Sequence, residues 1–154
     1  MAVLLRSEVD RLPVKLPHIQ MTAEHLLKIV NLTDNELSIL IVSDSRIAEL
    51  NTAYRHKEGP TNVLSFPLRD EDEDDLQGPA LLGDIVISID TAVREAAEKD
   101  ISIDSYLEIL LVHGLTHLLG YDHEQGRKDA EKMAAFEMDL LEKVNSNHTN
   151  PLTI

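Results

Sequence analysis

One segment of the sequence, SYLEILLVHGLTHLL at residues 105–119, constrains the fold more than any other. Apolar residues occupy almost every position, so a helix formed here has no wide polar face to turn toward water. Such a helix has to lie in the interior, with other elements packed around it. Ser105, followed three residues later by Glu108, predicts a capping box at its start, and Gly120 predicts a sharp turn at its end.

Four other stretches predict β-strands and four predict amphipathic helices. Apolar residues alternate or run together in the predicted strands, which are residues 3–9, 37–42, 62–66 and 84–89. They recur at intervals of three and four in the predicted helices, which are residues 22–30, 45–54, 91–99 and roughly 127–144. Thr22, Asp44 and Asp90 are the candidate helix caps. The last helix is expected to bury Met133, Phe136, Leu140, Leu141 and Val144.

Composition limits the classes of protein that this chain can represent. Its 154 residues, 43% of them hydrophobic, suit a single domain over residues 1–154. The absence of cysteine excludes disulfides and thiolate metal sites. No signal peptide and no apolar run of about 20 residues is present, so we expect a cytoplasmic protein without membrane contact. Six consecutive acids at residues 70–75 are typical of a solvated loop, and their role is not predicted.

The segment HGLTHLLGYDH, residues 113–123, has three histidines in a metal-ligand spacing. His113 and His117 are four residues apart on the predicted helix, so they project from one face and can share one ion. A turn at Gly120 brings His123 back from outside the helix. Three imidazoles with one open position are typical of a catalytic zinc site, although nickel or another divalent transition metal binds the same ligands.

The alternative is that these histidines bind no metal. His113 and His117 would then be ordinary buried residues, and His123 would be a surface residue. With 7 histidines in 154 residues, chance seldom produces this spacing together with the glycine, so the sequence favours a metal site. Asp122 and Glu124 flank the third histidine, where they can orient an imidazole or handle protons, or be solvated acids.

The histidine spacing matches that of zinc peptidases except at the second position, where this chain has Gly114. In peptidases a glutamate stands there, takes a proton from metal-bound water and passes it to the leaving amine. Gly114 can do neither, whereas a metal still acts as a Lewis acid and lowers the pKa of its water to about 7. That chemistry favours a phosphodiester over an amide, because an alkoxide is a less demanding leaving group than an amine.

A second stretch, YRHKEGPTNVLSFP at residues 54–67, offers the cation that phosphoryl chemistry needs. Arginine is the residue that usually stabilises the negative charge that develops on phosphate oxygens. Arg55 and Lys57 stand beside a glycine and proline turn that leads into a predicted strand. The alternative is that both are solvated residues that interact with the C-terminal dipole of the preceding helix.

Together, YR-x-K-x-x-PTNVLSFP and HG-x-x-H-L-L-GYDH, with LLGDI between them, resemble the YbeY family of bacterial single-strand-specific endoribonucleases and ribosomal RNA maturation factors. The resemblance extends from about residue 37 to residue 124. It implies an α+β fold in which a mixed four-stranded sheet is packed with helices and a central helix carries the histidines. It also implies that His113, His117 and His123 hold zinc and that Arg55 is the functionally important arginine.

The activity that the resemblance implies is metal-dependent cleavage of single-stranded RNA, in 3′-end maturation of small-subunit ribosomal RNA and in ribosome quality control. The implied partners are ribosomal proteins of the small subunit and an rRNA-associated GTPase. A formal net charge of -14 opposes RNA binding unless Arg46, Arg55, Lys57 and Arg69 gather in one groove, or unless a basic ribosomal protein supplies the docking. We favour docking.

Two other functions stay open on the sequence. The first is a non-catalytic ribosome assembly factor whose metal only stabilises the fold, because a buried carboxylate could fill the fourth coordination position. The second is an atypical zinc peptidase that takes its base from elsewhere, such as Glu124.

Overall fold

The structure, a computed structural model, describes residues 3–67, 81–120 and 126–148, with only the backbone given for 145–148. Its strands are β1 (Val3–Ser7), β2 (Glu36–Val42), β3 (Val63–Pro67) and β4 (Leu81–Ser88). Its helices are α1 (Leu16–Ile29), α2 (Asp44–Arg55), α3 (Ile89–Glu98), α4 (Ile103–Leu118) and α5 (Arg127–His148). All of the predicted strands and helices are therefore present. Within the described residues, no helix has both the length and the apolar composition of a membrane span.

The four strands form one sheet in the order β1-β2-β4-β3. β1 pairs with β2 and β2 pairs with β4 in parallel, whereas β3 runs antiparallel to β4 along the edge of the sheet. A parallel pair needs a crossover connection, which α1 supplies between β1 and β2. The expected α+β fold with a mixed four-stranded sheet is confirmed.

Alternating side chains give the sheet two unequal faces. α1, α3, α4 and α5 pack on one side, which we call the main face, and α2 packs on the opposite face. The expectation that the most apolar helix is central is also confirmed, since Leu107, Leu111 and Leu115 of α4 are buried in the main core. The buried strand residues in this core are Val3, Leu37, Ile39, Ile41, Val63, Leu82, Ile85 and Ile87. The smaller cluster contains Val42, Ile47, Leu64 and Val86.

The predicted starts of α1 and α4 are wrong. α1 begins at Leu16 with Pro17 in its first turn, where the fixed φ of proline fits and its missing N–H costs no hydrogen bond. Thr22 is therefore a buried residue inside the helix and not a cap. α4 begins directly after Ser102, whose hydroxyl accepts a hydrogen bond from the backbone N–H of Ser105 at 3.1 Å. Ser105 is thus the residue that is capped, and the predicted capping box does not form.

The predicted caps of α2 and α3 are wrong by one and two residues. Ser43 caps α2 and Ser88 caps α3, each through its hydroxyl. Asp44 and Asp90 instead connect the two helices, because the backbone N–H of Asp44 donates to Oδ2 of Asp90 at 2.9 Å. The sequence correctly indicated that each of these helices starts with polar residues. It did not show which polar residue caps the helix and which one contacts the other helix.

The Asp44 carboxylate lies at the centre of this junction between α2 and α3. Its Oδ1 accepts hydrogen bonds from the hydroxyls of Ser88 and Thr91, both at 2.6 Å, and its Oδ2 accepts one from Arg94 at 2.8 Å. Partial burial disfavours the charged carboxylate, but these hydrogen bonds and the charge of Arg94 outweigh it, so the pKa of Asp44 lies below its ordinary value. Ionised Asp44 therefore stabilises the folded chain.

Replacing Asp44 with alanine is expected to lower the free energy of unfolding at pH 7 by about 1–3 kcal/mol, because two buried hydroxyls lose their acceptor. The pKa is lower in the folded than in the unfolded chain, so the contribution of the charge is present above about pH 3.9 and is lost as the pH falls through the folded value. Urea unfolding of both proteins between pH 7 and pH 3 measures the difference. Asp34→Ala removes an exposed acid as a control, and an equal loss in that variant would contradict the prediction.

Candidate metal centre

His113 and His117 lie on the same side of α4 and are the partly exposed residues of a stretch that is otherwise buried from 110 to 118. Their Nε2 atoms are 3.1 Å apart. The two rings meet edge to face, with centroids 4.6 Å apart and an interplanar angle of 83°. The helix therefore presents two imidazole nitrogens that converge on one point, as the spacing predicted.

The separation of the two nitrogens fits one bound transition metal. Two imidazoles that bind zinc tetrahedrally at about 2.0–2.1 Å place their nitrogens roughly 3.3 Å apart. The 3.1 Å separation between the Nε2 atoms is close to that value. His123, the third predicted ligand, lies outside the described residues together with Asp122 and Glu124. Among the residues that are described, no group of three histidines, cysteines or acids could hold a metal, and this part of the chain contains two of the three predicted ligands.

A glutamate that the sequence analysis did not single out contacts the other edge of the His113 ring. Oε1 of Glu137, on α5, lies 3.0 Å from Nδ1 of His113. The side chains are 34% exposed for His113 and 21% exposed for Glu137, so the pair is partly shielded from water. One signal in the sequence could have revealed it, because position 137 falls among the apolar positions 133, 136, 140, 141 and 144 of α5.

Gly114, the residue in the place of the peptidase glutamate, faces the sheet. A Cβ atom built at this position would lie 3.0–3.1 Å from three side-chain atoms of Ile85 on β4. The Gly114 carbonyl accepts a hydrogen bond from the Ser65 hydroxyl of β3 at 3.2 Å. Position 114 therefore brings α4 close to the sheet, and a glutamate there would enter the core.

The end of α4 follows the predicted turn. Leu119 is the C-cap, and Gly120 follows it with φ +97°, a conformation that glycine adopts without steric cost. The N–H of Gly120 donates to the carbonyl of His117 at 3.0 Å. The helix therefore ends within one turn of the second histidine, where the chain can change direction.

Arg55 is the last residue of α2, on the opposite face of the sheet from the histidines, and its side chain is exposed. Its guanidinium forms no ion pair with any described residue, and no hydrogen bond joins it to His113 or His117. His56 follows in the left-handed conformation with φ 57°, and Asn51 donates to the Gly59 carbonyl at 3.0 Å. The turn after Arg55 is thus held by hydrogen bonds, although Arg55 itself is not.

Strand β3, the end of the first motif, contacts the neighbours of both Arg55 and His113. On the opposite face its Phe66 contacts the ring of Tyr54, the neighbour of Arg55, with centroids 5.3 Å apart. On the main face its Ser65 bonds to the carbonyl of Gly114, the neighbour of His113. Arg55 and His113 are therefore each one residue away from a contact with this edge strand.

The start of β3 is fixed by a partly buried hydrogen-bond network. Asn62 donates to Glu95 Oε1 at 2.9 Å, and the Tyr106 hydroxyl of α4 donates to the same oxygen at 2.6 Å. Burial, together with the hydrogen bond to Glu95, raises the pKa of Tyr106 to about 12. This network ties the PTNVLSFP segment to α3 and α4.

Gly114→Ala is expected to destabilise the fold by about 1–3 kcal/mol, because the added methyl group would lie 3.0–3.1 Å from Ile85 in a packed core, and this crowding outweighs the gain of about 1 kcal/mol that alanine has over glycine in a helix. In an Ile85→Ala background the same change should cost much less, since the three crowding atoms are gone. A double-mutant cycle of urea unfolding measures this coupling. Additive costs of the two substitutions would contradict the predicted close approach.

Comparison with known proteins gives the family of this chain. Residues 6–145 match the family model described as Endoribonuclease YbeY. The endoribonuclease YbeY of Geobacter metallireducens is 42% identical over 142 residues, which cover 92% of this chain and 94% of that protein. The Aquifex aeolicus endoribonuclease YbeY is 43% identical over 132 residues, 86% of this chain and 85% of that protein.

A solved structure shows the same fold. The solution structure of a Thermotoga maritima protein superimposes with a TM-score of 0.65 and 28% sequence identity, and the match covers 97% of this chain and 93% of that chain. The family model and the relatives together confirm the resemblance that the two motifs indicated: the chain belongs to the YbeY family of endoribonucleases.

Proposed function

We propose that this chain is a metal-dependent endoribonuclease that cleaves single-stranded RNA at a centre built on α4. The observation that carries the proposal is the pair of Nε2 atoms of His113 and His117, 3.1 Å apart on a stretch of α4, residues 110–118, that is otherwise buried. Two converging imidazoles on a rigid element suit a transition-metal site better than a purely structural role. Family membership supplies the reaction class, because the relatives are named endoribonucleases.

Three histidines would hold the metal in this proposal: His113, His117 and His123. Zinc is the first candidate, and nickel or another divalent transition metal suits the same ligands. A bound metal supplies Lewis acidity toward phosphate oxygens and lowers the pKa of its water to about 7. The residues of α4 before and after each histidine are buried in the core. The histidines would therefore determine where that chemistry takes place.

Arg55 is the proposed stabiliser of negative charge on the scissile phosphate. Its guanidinium is exposed and forms no ion pair with a described residue, so it is available to an RNA phosphate. The hydrogen-bonded turn that follows it limits the motion of the backbone. Residues next to Arg55 and next to His113 both contact the edge strand β3. A scissile phosphate held at this edge would therefore be the place where the metal and Arg55 act on the same group.

The biological substrate that we propose is small-subunit ribosomal RNA, in 3′-end maturation and in ribosome quality control. Small-subunit ribosomal proteins and an rRNA-associated GTPase are the proposed partners. Arg46 lies at the start of α2, about 14 Å along the helix axis from Arg55, and is paired with Glu8. Because Arg46 is paired with an acid and stands about 14 Å along the helix from Arg55, docking through basic proteins suits a chain of net charge -14.

Position 114 faces Ile85 in the core, so it offers no base beside the histidines. The peptidase alternative therefore depends on a base from elsewhere such as Glu124, which lies outside the described residues. A non-catalytic assembly factor is the other alternative, and RNA cleavage by purified protein separates it from the enzyme that we propose.

The expected result is that Arg55→Ala and His113→Ala both lose cleavage of a single-stranded ribosomal RNA fragment. Arg55→Ala should lower the cleavage rate by about 100-fold or more, the range for removing one donor to a developing charge, and should keep its metal. His113→Ala should lose metal and cleavage together. Cleavage rates and the metal content of each purified sample are measured in parallel.

Arg46→Ala is the matched control, because it removes an arginine from the other end of the same helix. It should cleave RNA at nearly the rate of the unaltered protein. Identical residual cleavage in all four proteins would indicate a contaminant and would favour the assembly factor. Cleavage lost equally in Arg46→Ala and Arg55→Ala would refute the specific role of Arg55.

A further inference from the structure

Glu137 and His117 contact opposite edges of the His113 ring. Oε1 of Glu137 lies 3.0 Å from Nδ1, whereas Nε2 of His117 lies 3.1 Å from Nε2. The carboxylate is therefore on the side of the imidazole that faces away from the point where the two Nε2 atoms converge. Among the described residues, Glu137 contacts the candidate metal site through His113 alone.

An ionised carboxylate accepts hydrogen bonds and cannot donate them. At 3.0 Å from Nδ1, it favours the tautomer of His113 that carries its proton on Nδ1. The lone pair of a neutral imidazole is then on Nε2, directed toward His117. This is the protonation state that a metal ligand needs, and the hydrogen bond also fixes the rotation of the ring.

The backbone of α5 holds Glu137 in place. Met133, Leu140 and Val144 are buried, with 2%, 1% and 0% of their surface exposed. Glu137 lies four residues after Met133 and three before Leu140, so it projects from the same face of α5 toward α4. Placing an acid on the buried stripe of a helix is unfavourable without a partner, and His113 provides that partner.

We propose that Glu137 is a positioning residue of the metal centre: it holds His113 in the Nδ1-protonated form with Nε2 directed at the metal. The inference rests on the metal site of the proposed function. It extends that site from α4 to α5 and assigns a role to a residue outside both sequence motifs. It predicts an effect on metal affinity before any effect on RNA.

The experiment measures zinc affinity by competition with a chelating dye, using the full chain with Glu137→Ala, Glu137→Gln or no change. Glu137→Ala should bind zinc about 10–100-fold more weakly, as is typical when the hydrogen-bond partner of a ligating histidine is removed. Glu137→Gln keeps an oxygen that can accept a hydrogen bond from the Nδ1–H group but loses the negative charge. Its zinc affinity should therefore fall less than that of Glu137→Ala. Nitrogen NMR of the metal-free proteins reports the tautomer of His113 directly.

Two controls separate positioning from charge and from general stability. Glu142→Ala removes an exposed acid from the same helix and should leave zinc affinity within about twofold. Leu141→Ala removes a partly buried core contact of α5 and should lower the melting temperature while leaving the His113 tautomer unchanged.

The outcomes distinguish this inference from the proposed function. If the unaltered protein binds zinc and Glu137→Ala binds it equally well, the positioning role is refuted and the metal site stands. A proton on Nε2 of His113 in the unaltered, metal-free protein would also refute the role. If the unaltered protein binds neither zinc nor nickel, the metal site itself fails. A visible spectrum of the cobalt-loaded Glu137→Ala protein at saturating cobalt that shows a different coordination number would make Glu137 a ligand, which overturns the inference.

Discussion

Helix α4 lies close against strand β4 because Gly114 places no side chain between them, and the position of the candidate metal centre depends on that contact. Ile85 occupies the space that a Cβ atom at position 114 would enter. Ser65 of β3 bonds to the Gly114 carbonyl, so the helix is fixed to two strands at one residue. The two histidines next to this contact are therefore carried by a closely packed part of the helix, as a site of defined geometry requires.

The charges of the chain suggest that RNA binding and RNA cleavage depend on different groups. A net charge of -14 repels RNA over the Debye length, about 8–10 Å in ordinary salt, but has little effect on a phosphate that already lies beside a guanidinium. Arg46 is paired with Glu8, whereas Arg55 forms no ion pair with a described residue. Charge thus favours a local role for Arg55 at the reacting phosphate, with affinity for RNA supplied through a basic docking partner.

Sequence periodicity predicted the strands and helices well, because their cores depend on patterns within each element. Ile39, Ile41, Ile85 and Ile87 alternate toward one core, and this alternation is visible in the sequence. The starts of the helices were less predictable. Serine and aspartate are both good caps, and at α2 the choice of Ser43 over Asp44 depends on α3, which supplies Ser88, Thr91 and Arg94 to the Asp44 carboxylate.

In the candidate site, too, contacts between residues close in the sequence were predictable, whereas a contact between distant residues was not. His113 and His117 share one helix, so their spacing alone predicted that they meet. Glu137 is 24 residues from His113, and only the packing of α5 on α4 brings them together. An acid among the apolar positions of a helix indicates that some partner exists, but not which one. If Glu137 orients His113, metal binding stabilises the docking of α5, because the metal and the carboxylate then hold the same ring.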